Sequence, residues 1–457
     1  MVSYAETATR RAMPGPRHRL SYTRRVSLRV VALAESDSYL KWAVTLLGTL
    51  PGDTRVDVVL ACSPIRPSAS QQAAALAGTA FAGRRLDVVS PGRLLRLVDR
   101  ERPDAVLIAC AGPSAHAYSD ALSRSPHRPV LLAGIPGIAL PARRRAWSYR
   151  GAIDMLVVHS HREVAEYDAV RVAAGAEARI GLATIPFLAA HPELPLAGDA
   201  DPLVAAEPEP TARSGVRGNR VIFATQGKVP VDRANRVAIL RALDRLAAAR
   251  PDLRVVVKTR GQRGEFHTHY EPHHYEDLWA SLVASGQVGD AGSLEFAGGS
   301  MAEQLETAAA LVTVSSTAVL EAMARNLPVL LIDEFGVDER LLNQVFEGSG
   351  CLGGLAALEA ADFRHPAPRW LLDNYFHSTA ENDWIPMLGE LVGLARKGEL
   401  PPLADGLDPG RTRRRRRRDR WRLTPVGSAF ARSRQRIRIR RLQRLVGEES
   451  ALSPGAA

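Results

Sequence analysis

Apolar residues gather along this chain in two recurring forms: short β-branched runs, and longer stretches with apolar positions three and four residues apart. The short runs at 28–34, 56–61, 86–89, 105–109, 130–134 and 155–159 are predicted strands. Helices are predicted through Leu40, Trp42, Ala43, Leu46 and Leu47, and over 70–80, 94–100 and 162–174. Strands that are apolar throughout and alternate with helices imply a parallel sheet covered on both faces. The pattern lapses over 186–219, which is rich in Pro, Ala and Glu and reads as a linker. It then restarts, with strands at 221–224, 253–258, 294–296, 311–314 and 329–332, and helices at 232–249, 275–285, 301–309 and 318–325. The fold class is therefore α/β, with a first parallel-sheet unit over 28–185 and a second over 220–397, flanked by a disordered basic N-terminus (1–27) and an Arg-rich tail (398–457).

A length of 457 residues agrees with two such units. Cys62, Cys110 and Cys351 are scattered without metal-ligand spacing, as expected of free thiols in a reducing cytoplasm. The apolar stretch 129–142 has 14 residues broken by Pro and Gly, too short to cross a bilayer, and no secretory leader pattern appears. A cytoplasmic location is expected. The net charge of +11 is unevenly distributed: residues 411–444 hold 16 Arg and one Asp, and residues 1–29 hold seven Arg and one Glu. What lies between is net acidic.

One stretch, 311–333, organises the chemistry. It reads LVTVSSTAVLEAMARNLPVLLID: strand, polar turn, helix, strand. In a parallel sheet such a turn lies at the carboxyl end of the strand, where the free amides and positive end of the helix favour an anion. Ser315, Ser316 and Thr317 add hydroxyl donors there, and Glu321, one helical turn after Thr317, is placed to accept from a ribose. An ordinary Ser/Thr helix cap with a solvated Glu explains the same residues.

This segment resembles the nucleotide-binding segment of GT-B glycosyltransferases, in style that of bacterial capsule, polysialic acid and teichoic-acid-type transferases and of uncharacterised families related to them. The resemblance covers about 30–396, strongly in the second half, and departs where Asn326 stands in place of a Gly before Leu327-Pro328. It implies that the hydroxyls and amides hold a donor diphosphate, that the second unit binds the nucleotide sugar, and that the helix at 383–396 packs back across the domain junction. It also implies a Lys-x-His-Pro near 258, where this chain reads Lys258-Thr259-Arg260-Gly261 and lacks the His.

No Walker A sequence appears, and no glycine-rich fingerprint leads out of a strand predicted here into a helix. The one Asp-x-Asp, Asp199-Ala200-Asp201, falls in the linker rather than at a strand end, so donor binding without a metal is expected, and no cofactor. Lys258 and Arg260, with Arg263 beyond, are candidates to compensate the diphosphate. His267 and His269 are candidates for phosphate or acceptor contact, or part of a solvated loop. Gln226, Gly227 and Lys228 follow the first strand of the second unit, where Gly227 permits close backbone approach and Lys228 reaches a phosphate, or where the strand simply exits. Transfer with inversion needs a base on the acceptor hydroxyl. Asp37 and Glu35, just after the first strand, are the candidates, with Asp37 preferred although it also suits a helix N-cap; His116 follows, then His159 and His161. Gly134 to Gly137 are placed to line an acceptor pocket, or to form tight turns.

In the tail, six consecutive arginines (413–418) precede Trp421, Leu423, Val426, Phe430 and Ile437, interleaved with more Arg. Such charge density predicts disorder, or a helix formed on an anionic surface. Anionic lipid is the preferred partner, nucleic acid the competitor, and a merely solubilising tail the plain alternative. The sequence thus points to a metal-independent transferase moving a sugar, or a polyol phosphate, from a nucleotide donor to a cell-envelope glycan or lipid-linked acceptor. A nucleotide-sugar epimerase of the same fold, and a non-enzymatic scaffold binding membrane or RNA, are its rivals.

Overall fold

The structure, a computed structural model, describes residues 27–189, 218–259, 271, 273–403, 413–434 and 437. The basic N-terminus, most of the expected linker with Asp199 and Asp201, and Arg260, Arg263, His267 and His269 lie outside these residues.

Two parallel sheets form. The first holds β1 (Arg29–Ala34), β2 (Arg55–Ala61), β3 (Val88–Val89), β4 (Ala105–Ala109), β5 (Val130–Gly134), β6 (Met155–Val158) and β7 (Arg179–Leu182), in the spatial order β3-β2-β1-β4-β5-β6-β7. The second holds β8 (Arg220–Ala224), β9 (Arg254–Lys258), β10 (Leu294–Ala297), β11 (Ala308–Thr313), β12 (Val329–Ile332) and β13 (Leu352–Gly353), in the order β10-β9-β8-β11-β12-β13. Both follow the doubly wound order, in which the chain reverses direction across the sheet between the first and fourth strands. That reversal, between β1 and β4 and again between β8 and β11, opens a crevice at the strands' carboxyl ends.

Each sheet is covered on both faces, so its central strands carry two apolar sides. Ala32, Leu107 and Leu132 of the first sheet pack under Leu40, Ala43 and Leu46, while Val31, Val106 and Leu131 face Tyr118, Leu122 and Trp147. The helix Trp384–Lys397 leaves the second sheet and returns to the first. Trp384, Leu388 and Leu391 enter the first sheet's core, and Asp383 and Leu182 exchange hydrogen bonds at its start.

Some boundaries differ from the sequence pattern. The helix expected over 301–309 is Met301–Glu306, and β11 begins at Ala308 because Ala308 and Ala310 pair with Arg220 and Val221; an alanine run suits either element, and the neighbouring strand decides. Several helices had no expectation, the longest being Gly112–Leu122; Arg144–Arg150 is another. The first is buried nearly all round, from Ser114 to Leu122, and so shows no amphipathic stripe. In the tail Arg413–Arg422 is helical, Leu423 is buried in the first sheet's core, Arg420 pairs with Asp120, and Arg432 donates to the Ser63 carbonyl at 3.2 Å.

Candidate active site

At the crest of the second sheet, the loops after β8 and β11 meet. Gln226 Oε1 accepts from the Ser315 amide (3.0 Å) and from Ser315 Oγ (3.2 Å). The Ser316 amide donates to Thr313 Oγ1 (3.2 Å), and Ser316 Oγ accepts from the Ala318 amide (3.3 Å). Ser315 is buried, Ser316 half-buried and Thr317 exposed. The helix that follows, Ala318–Ala324, is only seven residues long and ends at Asn326, whose φ of 52° is the left-handed turn the sequence suggested for it. Glu321 lies half-buried on that helix. Lys228 is exposed, whereas Lys258 is buried at the end of β9 with Nζ donating to the Thr259 carbonyl at 2.7 Å.

What shapes the Gln226-Gly227 turn is Arg236, which the sequence reading passed over. Its fully buried guanidinium donates to the carbonyls of Gln226 and Gly227 (3.0 Å each), Pro230 (2.8 Å) and His273 (2.6 Å), pairs with Glu271, and lies over the Tyr275 ring. Its signal was present: Arg236 shares a helical stripe with Ile239, Leu240 and Leu243, an arginine where apolar residues belong.

The first sheet's crest is built differently. Glu35, 2% exposed, accepts from Ser63 Oγ (2.6 Å), Ser114 Oγ (2.5 Å) and the Ala111 amide (2.8 Å), tying the ends of β1, β2 and β4 together. Burial pushes its carboxyl above the usual range, against those three donors. Ser36, not Asp37, caps the helix Asp37–Leu47, and Asp37 stays half-buried as its first residue. His116 sits buried within the helix after β4. Both nitrogens of His159 are used: Nε2 accepts from Trp42 (2.7 Å), so Nδ1 carries the proton donated to the Ala183 carbonyl (2.7 Å), and burial lowers its pKa to about 4. His161 pairs with Glu381 at 2.8 Å.

The two crests touch. A Cβ on Gly137, whose φ is +71°, would stand 2.7 Å from Thr317 Cγ2, so the loop after β5 presses directly on the hydroxyl-bearing turn. Leu140, Ile185 and Leu188 join the core of the helix Ala318–Ala324. Glu163 fastens the same junction, accepting from the Ala139 and His159 amides and from Tyr375 Oη, each at 2.8 Å; burial raises its carboxyl to about 7. Among the described residues no three His, Cys, Asp or Glu side chains gather as metal ligands, and no helix is long and apolar enough to cross a membrane.

A family model described as "Putative glycosyltransferase (DUF6716)" matches residues 30–391. The chain belongs to that family. No curated protein matches it. Its structure is similar to a UDP-GlcNAc 2-epimerase from Methanocaldococcus jannaschii, at a TM-score of 0.51 and 10% identity over 79% of this chain and 100% of that one, a likeness of fold. Weaker similarity extends to the UDP co-structure of S. aureus MnaA (TM-score 0.49, 12% identity, 87% and 96% covered). It extends also to a mutant Thermobaculum terrenum O-GlcNAc transferase (TM-score 0.37, 14% identity, 92% and 69% covered). As a member of the DUF6716 family, the chain has a GT-B-like fold of two Rossmann-like domains. The string Gly348-Ser349-Gly350-Cys351-Leu352-Gly353 has Gly-x-Gly-x-x-Gly spacing, but it leads into β13 instead of out of a strand, so it is no dinucleotide fingerprint.

Proposed function

We propose that this DUF6716 protein transfers a sugar from a nucleotide-sugar donor to a cell-envelope glycan or lipid-linked acceptor, without a metal ion. The observation that carries the reading is the contact of the two crests: Gly137 of the acceptor side lies against Thr317 of the donor side, so a donor at one crest has an acceptor site beside it. Ser316 and Thr317 bind the diphosphate, positioned by the Ser315–Gln226 pair and the Gly227 turn. Glu321 accepts from the ribose, and Lys258, Lys228 and Arg260 compensate charge. Asp37 takes the acceptor's proton as the acceptor oxygen bonds to the anomeric carbon and the nucleoside diphosphate departs with the electrons of the broken C–O bond. Asp37 suits that role better than Glu35, whose oxygens are occupied by three donors, or His116, which is buried.

The test is stabilisation of the full chain by UDP, CMP, CDP, GDP and their sugars, since a ligand bound only to the folded state at a hundred times its Kd adds about 2.7 kcal/mol. One nucleotide is expected to raise the melting temperature, and Ser316→Ala with Thr317→Ala to weaken its binding about tenfold, worth about 1.4 kcal/mol. No response to any nucleotide, or an unaltered response in the double variant, overturns the assignment. The similarity to the Methanocaldococcus jannaschii epimerase favours a second reading, conversion of the nucleotide sugar itself. Acceptor-free turnover, followed by NMR, would replace transfer with epimerisation.

The tail supports a membrane partner. Trp421 (44% exposed) and Phe430 (51%) pair edge-on at 5.6 Å beside Val426, all outside the core and among arginines, an arrangement suited to the interface of an anionic bilayer. Sedimentation with phosphatidylglycerol vesicles, but not phosphatidylcholine vesicles, is the expected result.

A further inference from the structure

Beside the crest of the first sheet lies a cavity of about 320 Å³, within the usual span of small-molecule sites. Arg143, Arg145 and Arg150 line it, and among the described residues no acidic side chain does. The Tyr149 ring forms one wall, able to sit there because Gly112 has no side chain: a Cβ would stand 2.4 Å from the ring. Leu342 reaches in from the second domain, 44% exposed and with a left-handed φ of 57°. A bulky residue holds that backbone at a cost, and an exposed leucine gains nothing from water.

Arg150 is the anomaly. It is 4% exposed, yet among the described residues its guanidinium meets no carboxylate within ion-pair distance; it donates to the Cys110 carbonyl (3.2 Å) and Tyr39 Oη (3.4 Å), and its buried Nε has no hydrogen-bond partner. Glu35 is near enough for its field to be felt, but its oxygens are taken by Ser63, Ser114 and Ala111. A buried cation so poorly compensated is costly unless an anion arrives from outside. Arg145 stands at the mouth of the cavity with its fork on Tyr149 Oη (2.9 and 3.3 Å), and Arg143 spans to Glu339 of the second domain at 3.0 Å.

We propose that this cavity is the acceptor subsite for an oxyanion, a phosphate or carboxylate carried on an apolar or ring-shaped body, with Arg150 and Arg145 holding the charge and Leu140 and Leu342 holding the body. Guanidinium forks suit both oxyanions. The location agrees: Ile135 and Ile138 line the cavity, and Gly137 between them touches Thr317, so an acceptor seated here lies one loop away from the donor turn. The word acceptor rests on the transferase reading; the charge preference does not.

Calorimetric titration of the full chain with octyl phosphate, glucuronate and the uncharged octyl glucoside tests it, with UDP titrated separately as the donor-side ligand. At least one anion is expected to bind tenfold or more tighter than octyl glucoside, and to weaken at least tenfold in Arg145→Gln and in Arg150→Lys, while UDP affinity stays within twofold. Arg145 is exposed, so its variant keeps the test sound should Arg150→Lys misfold. Tighter binding of octyl phosphate points to a phosphate-bearing acceptor, of glucuronate to an acidic sugar, and either supports the proposal. Equal binding of the uncharged probe, no binding of either anion, or anion binding indifferent to Arg145→Gln overturns it. Failure of UDP and of every other nucleotide to bind removes the donor assignment and leaves the oxyanion pocket standing.

Discussion

The two crests share one topology and opposite chemistry. At the first, the loops after β1 and β4 are joined by a buried carboxylate: Glu35 gathers Ser63, Ser114 and Ala111 and lies near the buried Arg150. At the second, the loops after β8 and β11 are joined by a neutral amide, Gln226, and the turn beyond it shows hydroxyls to solvent. Charge is therefore locked into the scaffold on one side, and only partly on the other, where Arg236 is spent on backbone carbonyls and Glu271. A neutral, donor-rich turn can receive a diphosphate without first shedding a resident carboxylate. The same order of strands thus carries a sealed carboxylate at one crest and a neutral amide at the other.

That contrast predicts unequal costs. Replacing Glu35 with Ala strands three donors and removes a buried carboxyl whose field reaches Arg150, and should cost roughly 3–5 kcal/mol in urea denaturation. Gln226→Ala, on a half-buried side chain, should cost about 1 kcal/mol. Equal losses would erase the distinction between the crests.

Next in size is the pH response of His159, beside the first crest. Its pKa falls from 6.5 to about 4 on burial, so between those values the unfolded chain binds a proton that the folded chain refuses. The stability it contributes is complete above pH 6.5 and is lost as pH falls through about 4. The stability difference between wild type and His159→Gln should shift by roughly 3 kcal/mol across that window. Glu163, raised to about 7, acts in the opposite sense, gaining stability as pH falls from 7 towards 4.5, and cancels in the difference. A flat difference would mean that His159 is not buried as the neutral imidazole.

Smaller still is Gly137→Ala, which meets Thr317 and strains a φ of +71°. A loss of about 1 kcal/mol is expected, along with weaker nucleotide binding, because the crests must part. Unaltered binding would separate the contact from the donor site. Lys228→Ala closes the series: exposed and screened, it should alter nucleotide affinity by no more than about threefold.

Much of the second domain could be read along the chain. The bounds of β12 match its apolar run, and Ser315, Ser316 and Thr317 do form the turn after β11, next to Gln226. These are local matters: a β-branched run, a hydroxyl-rich turn and an Asn that accepts a left-handed φ each reveal themselves within a few residues. The helix Gly112–Leu122 did not, because burial on every side leaves no polar face to mark it. Nor did Arg150, one of several arginines in RRRAWSYR, which differs from its neighbours only in what surrounds it.

By itself the sequence determined the alternation of elements, the restart of the pattern, and the hydroxyl-bearing turn, since all of these follow from periodicity and local backbone preference. Tertiary structure alone decided which charges are sealed and which can meet a ligand. Glu35 and Asp37 are two residues apart, yet one is enclosed by donors from β2 and β4 and the other stays half-buried at a helix start. Burial and pairing are properties of chain segments brought together from afar, and no local pattern encodes them.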